Sequence, residues 1–563
     1  MKSRTSFFNG TVLRKDIFRY APVWGLYAIG MFLILFLPNM NWGPDDAAEA
    51  LLESLSGMTV ANTILGGICA LTLFSDLFKT RLCYATHALP LRREGWFLTH
   101  YTAGILFSFV PNLLIAGLFC IVLKNHCYMA ALWLGVVTLQ YLFFFGIAAF
   151  SAVCAGNRLG AAACYLILNF FAMLIGWYAE GIYQPLLYGM EFSGGFWDLL
   201  IPMTYMANFD YLNVTHLPLT VVGILVQEWV YLAIVAGIGL IFTVLALLRY
   251  RKRHLETAGD FLSFPAAKPI FWVIYTLAIG YLFRLILSDL PLVGLFSGLV
   301  IGFFTGKMLL ERTVKVFQGR NFLFFGVLVT VLFLSIGLTS LDPAGVTRYV
   351  PKAENVEVMY FYTASDRYKY QNEEDHRWEI TDPAEIEAFC QFHEEVSDGR
   401  YRNSEEDSIN IYIQYELTSG QRVVRNYEIP VDSEHGEFTR QQFSTWQAVF
   451  HSNDWDALTS DLHQVDLEII IDNQFTTVQM RDREQVLALL EAIRKDCDEG
   501  NMAQSWAFHQ EEDTSVWVYI YKTAIYGNYT HKLYKYDLNI YDSCQHTLAY
   551  LDSLDLDMET YSK

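Results

Sequence analysis

Nine apolar runs, each near the length that crosses a bilayer, constrain this chain more than any other feature of its 563 residues. An α-helix rises about 1.5 Å per residue, so a hydrocarbon layer of about 30 Å takes roughly 20 mostly apolar residues. Such runs lie at residues 22–38, 58–78, 97–123, 130–154, 161–178, 221–248, 269–287, 291–310 and 322–341. A further stretch, 182–206, is aromatic and moderately apolar but broken by Pro185, Gly194, Gly195 and Pro202. The first run follows Lys2, Arg4, Arg14, Lys15 and Arg19 as a signal peptide would, yet no small-x-small cleavage pattern follows and eight more runs do. It reads as a retained first span.

The charges divide the chain into two physical objects. Residues 1–341 carry 21 Lys and Arg against 16 Asp and Glu, whereas residues 342–563 carry 18 against 43. A C-terminal region with a net charge of −25 is repelled by polyanions, so a nucleic-acid role is excluded in practice. The nine cysteines form no paired pattern, so neither a disulfide framework nor a zinc site is expected, and no metal ligands are assigned.

Orientation follows from the cationic flanks, which stay on the cytoplasmic side. With the N-terminus inside, nineteen Lys and Arg fall on that side, among them Lys79, Arg81, Arg92 and Arg93 between the second and third runs. The other face receives Lys124, plus Arg284 near the outer end of a run. An odd number of spans then places the C-terminal region outside. The expected fold is a polytopic α-helical membrane protein of about nine spans followed by an α+β soluble domain. Its expected parts are an interfacial segment (1–21), a six-span core (22–248), three additional spans (249–341) and an acidic extracytoplasmic domain (342–563).

From Val346 onward the pattern changes to alternation, as in Ile409-Asn-Ile-Tyr-Ile-Gln-Tyr415, which puts every second side chain on one buried face of a strand. A faint internal repeat is present. Val356-Glu-Val358 recurs as Val465-Asp-Leu467, Asp382 to Phe389 as Asp482 to Leu489, and Tyr412 to Tyr415 as Trp517 to Ile520. The offset suggests two tandem units, 346–455 and 456–560, each read as strand, helix, hairpin and helix.

Motifs for soluble enzyme chemistry are missing. Gly302-Phe-Phe-Thr-Gly-Lys307 has three intervening residues where a phosphate loop needs four, lacks the following Ser or Thr, and lies within a span. There is no paired metal-binding His motif, nucleophile elbow or dinucleotide fingerprint. The chain is therefore read as a non-enzyme that binds no cofactor itself. Acidic runs at Glu373, Glu405 and Glu511 lack the spaced ligands and glycine of a calcium loop and read as solvated loops. Five polar residues in the apolar runs, Asn112, Gln140, Asn169, Gln227 and Glu228, are costly against lipid and are expected to face a bundle interior. They line a substrate path or hydrogen-bond between helices, and both readings stay open.

The connection between the second and third runs, Lys79 to Trp96, is long enough for a short interfacial helix. Within it, Ala88-Leu-Pro-Leu-Arg-Arg-Glu94 resembles the Leu-Pro-x-x-Arg segment that permease subunits of type-2 ABC transporters, especially those of Gram-positive bacteria, place in the loop docking on their ATPase. Phe7 to Tyr20 is similar to their interfacial entry helix, and 182–206 to their outer re-entrant helices. Tyr250-Arg-Lys-Arg-His-Leu-Glu-Thr-Ala-Gly259 and Glu311-Arg-Thr-Val-Lys-Val-Phe317 look like passages in a subgroup with three added spans and an uncharacterised C-terminal domain. The resemblance implies a plasma-membrane permease that pairs with a cytoplasmic ABC ATPase, which binds the ATP and magnesium, and with a second permease, itself or a relative. It implies export of, or resistance to, an amphiphilic compound or antimicrobial peptide. The coupling residues it implies are Arg81, His87, Leu89, Pro90, Leu91, Arg92, Arg93 and Glu94. A different class, a membrane receptor or scaffold whose outer domain senses a ligand without transport, competes with this reading; a neighbouring ATPase gene would discriminate them.

Overall fold

A computed structural model describes residues 8–89, 92–192, 200–208, 221–363, 379–402, 407–450, 465–471, 477–480, 483–503, 508, 516–526 and 529–553. The chain forms two compact units, one of Met1–Ile182 with Ser193–Ile336, the other of Tyr183–Phe192 with Gly337–Lys563.

Among the described residues nine helices are long and apolar enough to cross a membrane, seven of them wholly within the first unit and two, the fifth and the ninth, ending in the second. A short helix, α1 (Gly10–Arg19), precedes them and is started by Asn9, whose side chain accepts from the N–H groups of Thr11 and Val12. The crossing helices are α2 (Ala21–Asn39), α3 (Pro44–Leu73), α5 (Arg93–Leu123), α6 (Cys127–Cys154), α7 (Arg158–Leu186), α9 (Trp229–Lys252), α10 (Ala267–Ile286), α11 (Pro291–Glu311) and α12 (Gly319–Arg348). Two shorter helices, α4 (Thr80–His87) and α8 (Pro202–Ala207), lie in connections.

One boundary differs clearly from the sequence expectation. Helix α3 starts at Pro44 rather than at residue 58 and stops at Leu73, before a 3₁₀ turn at Ser75–Phe78. Pro44 suits the first helical position because its missing N–H needs no partner there, and Asp45 and Asp46 favour the positive end of the helix dipole. These polar turns carry the helix beyond its apolar stretch, which a hydropathy window does not register. The stretch 182–206 is not one element. Residues 183–192 belong to the second unit, and Pro202–Ala207 is a short helix.

Helices α10 and α11 meet through glycines four residues apart. A Cβ added at Gly294 or Gly298 would stand 2.6 Å from the carbonyl oxygen of Phe283 or Ile279, so the backbones touch where lipid-soluble helices need small residues to pack. Gly302 and Gly306 continue that stripe. The phosphate-loop-like spacing is thus a helix-packing face.

The second unit holds two four-stranded antiparallel sheets. The first contains β1 (Val356–Thr363), β2 (Glu379–Ile380), β3 (Ser408–Leu417) and β4 (Arg422–Pro430), ordered β2-β1-β3-β4. The second contains β5 (Val465–Ile471), β6 (Thr477–Met480), β7 (Val516–Tyr526) and β8 (Tyr529–Ile540), in the matching order β6-β5-β7-β8. Each half carries one helix between its hairpins, α13 (Pro383–Val396) or α15 (Arg483–Asp498), and another after them, α14 (Glu434–Phe443) or α16 (Gln545–Asp552), the first half adding a single turn at Trp446–Phe450. The sequence reading of strand, helix, hairpin, helix misses β2 and β6, because two and four residues are too few for an alternation to register. Val356 pairs with Leu417 as Val465 pairs with Lys522, after which an irregularity between Val356 and Val358 offsets the first sheet by one residue. Glu395, near the end of α13, holds His435 in second position of α14 at 2.9 Å, and Glu499, just past α15, holds His546 in second position of α16 at 2.8 Å. Of the acidic runs, 373–375, 405–406 and 511–513 lie outside the described residues.

The first sheet packs Ile409, Ile411 and Ile413 against Phe389, Phe392 and Val396 of α13. Among them His393 is fully buried, with Nδ1 3.0 Å from the Tyr415 hydroxyl and Nε2 2.9 Å from that of Tyr427. A neutral imidazole suits this setting, because one ring nitrogen donates to one tyrosine while the other accepts. Burial, reinforced by Arg425, pushes the pKa of His393 down to about 3. The unfolded chain therefore binds a proton below about pH 6.5 that the folded one does not, and stability is lost on acidification. Between pH 6.5 and 5 this group alone is expected to remove about 2 kcal/mol. Denaturant unfolding of the sheet region followed against pH checks this: His393→Gln should flatten the slope, and an unchanged slope refutes the assignment.

Candidate functional site

Ends of four crossing helices, α3, α5, α6 and α9, are linked to one another and to α4 by hydrogen bonds and ring contacts. The turn after α3 leads through Ser75–Phe78 into α4, whose Cys83 is fully buried and whose His87, one turn later, is half-buried. His87 Nδ1 lies 2.7 Å from the Cys83 carbonyl oxygen and Nε2 2.8 Å from the Tyr250 hydroxyl near the end of α9. Burial holds His87 below the ordinary histidine range, helped by the Arg93 and Arg253 guanidiniums and opposed by the bond to the Cys83 carbonyl. In the neutral ring Nδ1–H donates to that carbonyl, so Nε2 accepts from Tyr250. Trp96 of α5 stacks on Tyr250 at 5.3 Å and meets His100 edge-on at 4.1 Å.

Arg253 binds the helix ends to one another. Only 3% exposed, it donates to the carbonyls of Ala152 (3.3 Å) and Val153 (2.7 Å) in the last turn of α6, and of Leu77 (3.1 Å) ahead of α4. The last carbonyls of a helix have no partner within it, so a guanidinium fork supplies what the helix cannot. Arg93 does the same for the chain end of α9, donating to the carbonyls of Arg251 (3.1 Å) and Arg253 (3.0 Å), while Glu94 pairs with Arg251 at 3.0 Å. The segment after Arg253 returns across the end of α6, where Gly259 N–H donates to Gly156 O at 2.6 Å. Gly259 takes φ +100, a conformation open to glycine but strained for other residues. On the N-terminal side, Asp16 of α1 lies 2.7 Å from His100 Nδ1, both buried.

The other side of α4 is bare. Arg81, Leu82, Tyr84, Ala85, Ala88 and Leu89 are exposed, Tyr84 by 48% and Leu89 by 51%. The predicted coupling residues therefore separate into two sets. Arg81, Leu89 and Arg92 are exposed, whereas His87, Arg93 and Glu94 are tied to α4 or to the end of α9. Pro90 and Leu91 lie outside the described residues. Sequence reading missed Arg253, Tyr250 and Trp96. Arg253 sits in a basic run that reads as a cytoplasmic flank, and its burial depends on three segments far apart in sequence.

The polar residues proposed for a path are placed as follows. Gln140 is fully buried, donating to Thr59 Oγ1 (3.0 Å) and accepting from Asn62 Nδ2 (3.1 Å), both on α3. Asn112 accepts from Tyr27 of α2 at 2.8 Å. Asn169 donates to Tyr165 O in its own helix. Gln140 and Asn112 thus serve as interhelical hydrogen bonds. Gln227 and Glu228 occupy the helix Val221–Lys252, and their side chains lie outside the described residues. Arg284, considered as a partner for Glu228, donates to the Gly181 carbonyl and lies over the Tyr281 ring.

A set of potential metal donors not foreseen from sequence, Asp496, Glu499 and His546, comes within 4.8 Å in the second unit. The Asp496 carboxylate is engaged by the N–H groups of His546 and Thr547 and by the Thr547 hydroxyl, so it acts as a cap on α16.

Compared with known protein families, curated proteins and solved structures, the chain matches none. Its class rests on nine helices long and apolar enough to cross a membrane, with a sheet-bearing unit after them.

Arg253→Met is expected to lower the stability of the helical unit by about 3 kcal/mol, because it removes charge-assisted bonds and strands buried carbonyls. Arg81→Met on the bare side of α4 should change it by less than about 0.5 kcal/mol. Thermal melting of the two purified variants in one detergent compares them, and equal losses would overturn the role given to Arg253.

Proposed function

We propose that this chain is the membrane-spanning permease subunit of an ATP-driven ABC transporter, with ATP hydrolysed by a separate cytoplasmic subunit. The observation that carries the reading is the two-sided helix α4. One side is fastened through His87 to Tyr250 of α9 and meets Trp96 of α5, helix ends that Arg93 and Arg253 join to one another, to α6 and to the turn ahead of α4, and the other side offers Arg81, Leu82, Tyr84 and Leu89 to solvent. A force applied to such a helix reaches several spans at once, as coupling to an external ATPase requires. The resemblance of Leu89-Pro-Leu-Arg-Arg93 to ATPase-docking loops supports it independently.

Replacing Arg81, Leu89 and Arg92 together by Ala or Glu should abolish copurification of the ATPase while the permease still folds. Tyr250→Phe, which keeps the ring but loses the bond to His87, should retain the ATPase and reduce its permease-stimulated turnover. Undiminished association in the triple variant would remove the docking role.

The proposed orientation puts α4 inside the cell and the sheet-bearing unit outside. Charge supports it, since nineteen of the twenty-one Lys and Arg before residue 342 then lie inward. Parity supports it as well. The end of the fifth crossing helix and the residues just after it hydrogen-bond to the sheet that follows the ninth: Asn426 N–H donates to Gly189 O at 3.0 Å, and Arg402 to Leu186 O at 2.9 Å. Four crossings separate the two exits, so both fall on one side. The corresponding strand orders and the Glu–His pair in each half support a tandem duplication. Export of an amphiphilic compound is the transport activity we assign. A cysteine placed at exposed Lys352 should react with impermeant maleimide on intact cells; labelling only after lysis would reverse the orientation.

A further inference from the structure

We propose that Cys120 and Cys127 form a disulfide that closes the turn between α5 and α6. Both are thiols in this structure, and both are partly exposed. Cys120 stands in the last turn of α5 and Cys127 is the first residue of α6, with the 3₁₀ turn Lys124–His126 between them. Spacing alone does not mark the pair, since the interval between these two cysteines recurs between no other neighbours in the chain.

The helix ends bring the two side chains together. Phe119 and Leu123 are fully buried, which fixes the side of α5 that packs inward, and Lys124 takes φ +50, so the helix breaks there and the chain turns back. The Cys127 sulfur lies 2.9 Å from the Lys124 carbonyl oxygen and 3.3 Å from that of Cys120, while the Cys120 sulfur lies 3.9 Å from the Cys127 carbonyl oxygen. Each sulfur thus reaches across the turn to the other residue's backbone, and the two thiols are themselves hydrogen-bonded. A bond of about 2.05 Å between sulfurs already in contact asks for side-chain rotation rather than movement of the helices. A thiol is a weak donor, so capping the last carbonyls of α5 is a task that a serine hydroxyl performs better. Two cysteines supply what two serines could not, a covalent link.

Cys120 stands roughly 40 Å along α5 from Arg93, so the turn lies at the end of that helix opposite α4. In the orientation proposed above this end is extracytoplasmic, where disulfides persist; formation of the bond in the cell rests on that reading, whereas the capacity of the pair to form it does not. The oxidant is a disulfide, either a small molecule or an exchange protein, written RSSR. The thiolate of one cysteine attacks a sulfur of RSSR and expels one thiolate, and the thiolate of the other attacks the protein sulfur of that mixed disulfide and expels the second. Two electrons pass to the donor disulfide, and the two protons lost by the cysteines end on the two RSH released. Cys69 and Cys83, fully buried, are closed to the same reagent.

Full-length protein in detergent, treated with oxidised glutathione, blocked with N-ethylmaleimide, cleaved after Lys124 and weighed by mass spectrometry, tests the pair directly. The peptides carrying Cys120 and Cys127 should be recovered joined, free of maleimide, and separated by dithiothreitol, with the protein still monomeric on a non-reducing gel. The same joined peptides are expected from cells whose thiols are blocked before lysis. Cys120→Ser and Cys127→Ser should each abolish the joined species while melting as the reduced wild-type protein does, because the hydroxyl takes over the carbonyl contact. Maleimide on both cysteines after oxidation, a lasting mixed disulfide with glutathione, or a link from either to another cysteine or another copy of the chain overturns the proposal. Joined peptides from the oxidised pure protein together with free thiols in cells would instead count against the outside placement of this turn alone, which labelling at position 352 measures separately.

Discussion

The bilayer interior offers no water to a backbone, so a chain that crosses it must satisfy its own polar groups, and the helix does so everywhere except at its ends. The first unit is organised around that exception. Where α6 ends, the carbonyls of Ala152 and Val153 receive the guanidinium of Arg253, and the carbonyl of Leu77 shares it. Arg93 performs the same task for the chain end beyond α9. Because each arginine comes from a different segment than the carbonyls it satisfies, capping a helix also fastens it to its neighbours.

That fastening gives the connection between the second and third crossing helices its mechanical character. A loop held only by its two chain ends would absorb a push. Helix α4 instead is held to Tyr250 through His87, and the turn that leads into it is held at the Leu77 carbonyl by Arg253. The buried polar residues within the spans do quieter work. Gln140 with Asn62 and Thr59, and Asn112 with Tyr27, exchange hydrogen bonds across helix pairs where facing lipid would leave them unmet.

In the second unit the same shortage of partners is solved by sheet ladders and by buried pairs such as His393 with Tyr415 and Tyr427. Segment 183–192 joins this unit through the bridge of Met190 to Arg425. Arg425 in turn donates to the carbonyls of Val346 and Tyr349, so one side chain gathers the sheet and the linker that follows the last crossing helix.

The number of crossing helices, the change of character near residue 341 and the strand alternation around Ile409 were legible in the sequence, because hydrophobic period and run length are local properties. So was the position of the basic connection at 79–96. What that connection does to its neighbours was not legible, because Arg253, Tyr250 and Leu77 are far apart in the chain and meet only when the helix ends converge. Tertiary structure likewise decided that Gly294, Gly298 and Gly302 form a packing stripe and that α3 runs on to Pro44 through polar turns. Each of these depends on which atoms lie across the gap from a residue, a quantity that no window along the sequence contains.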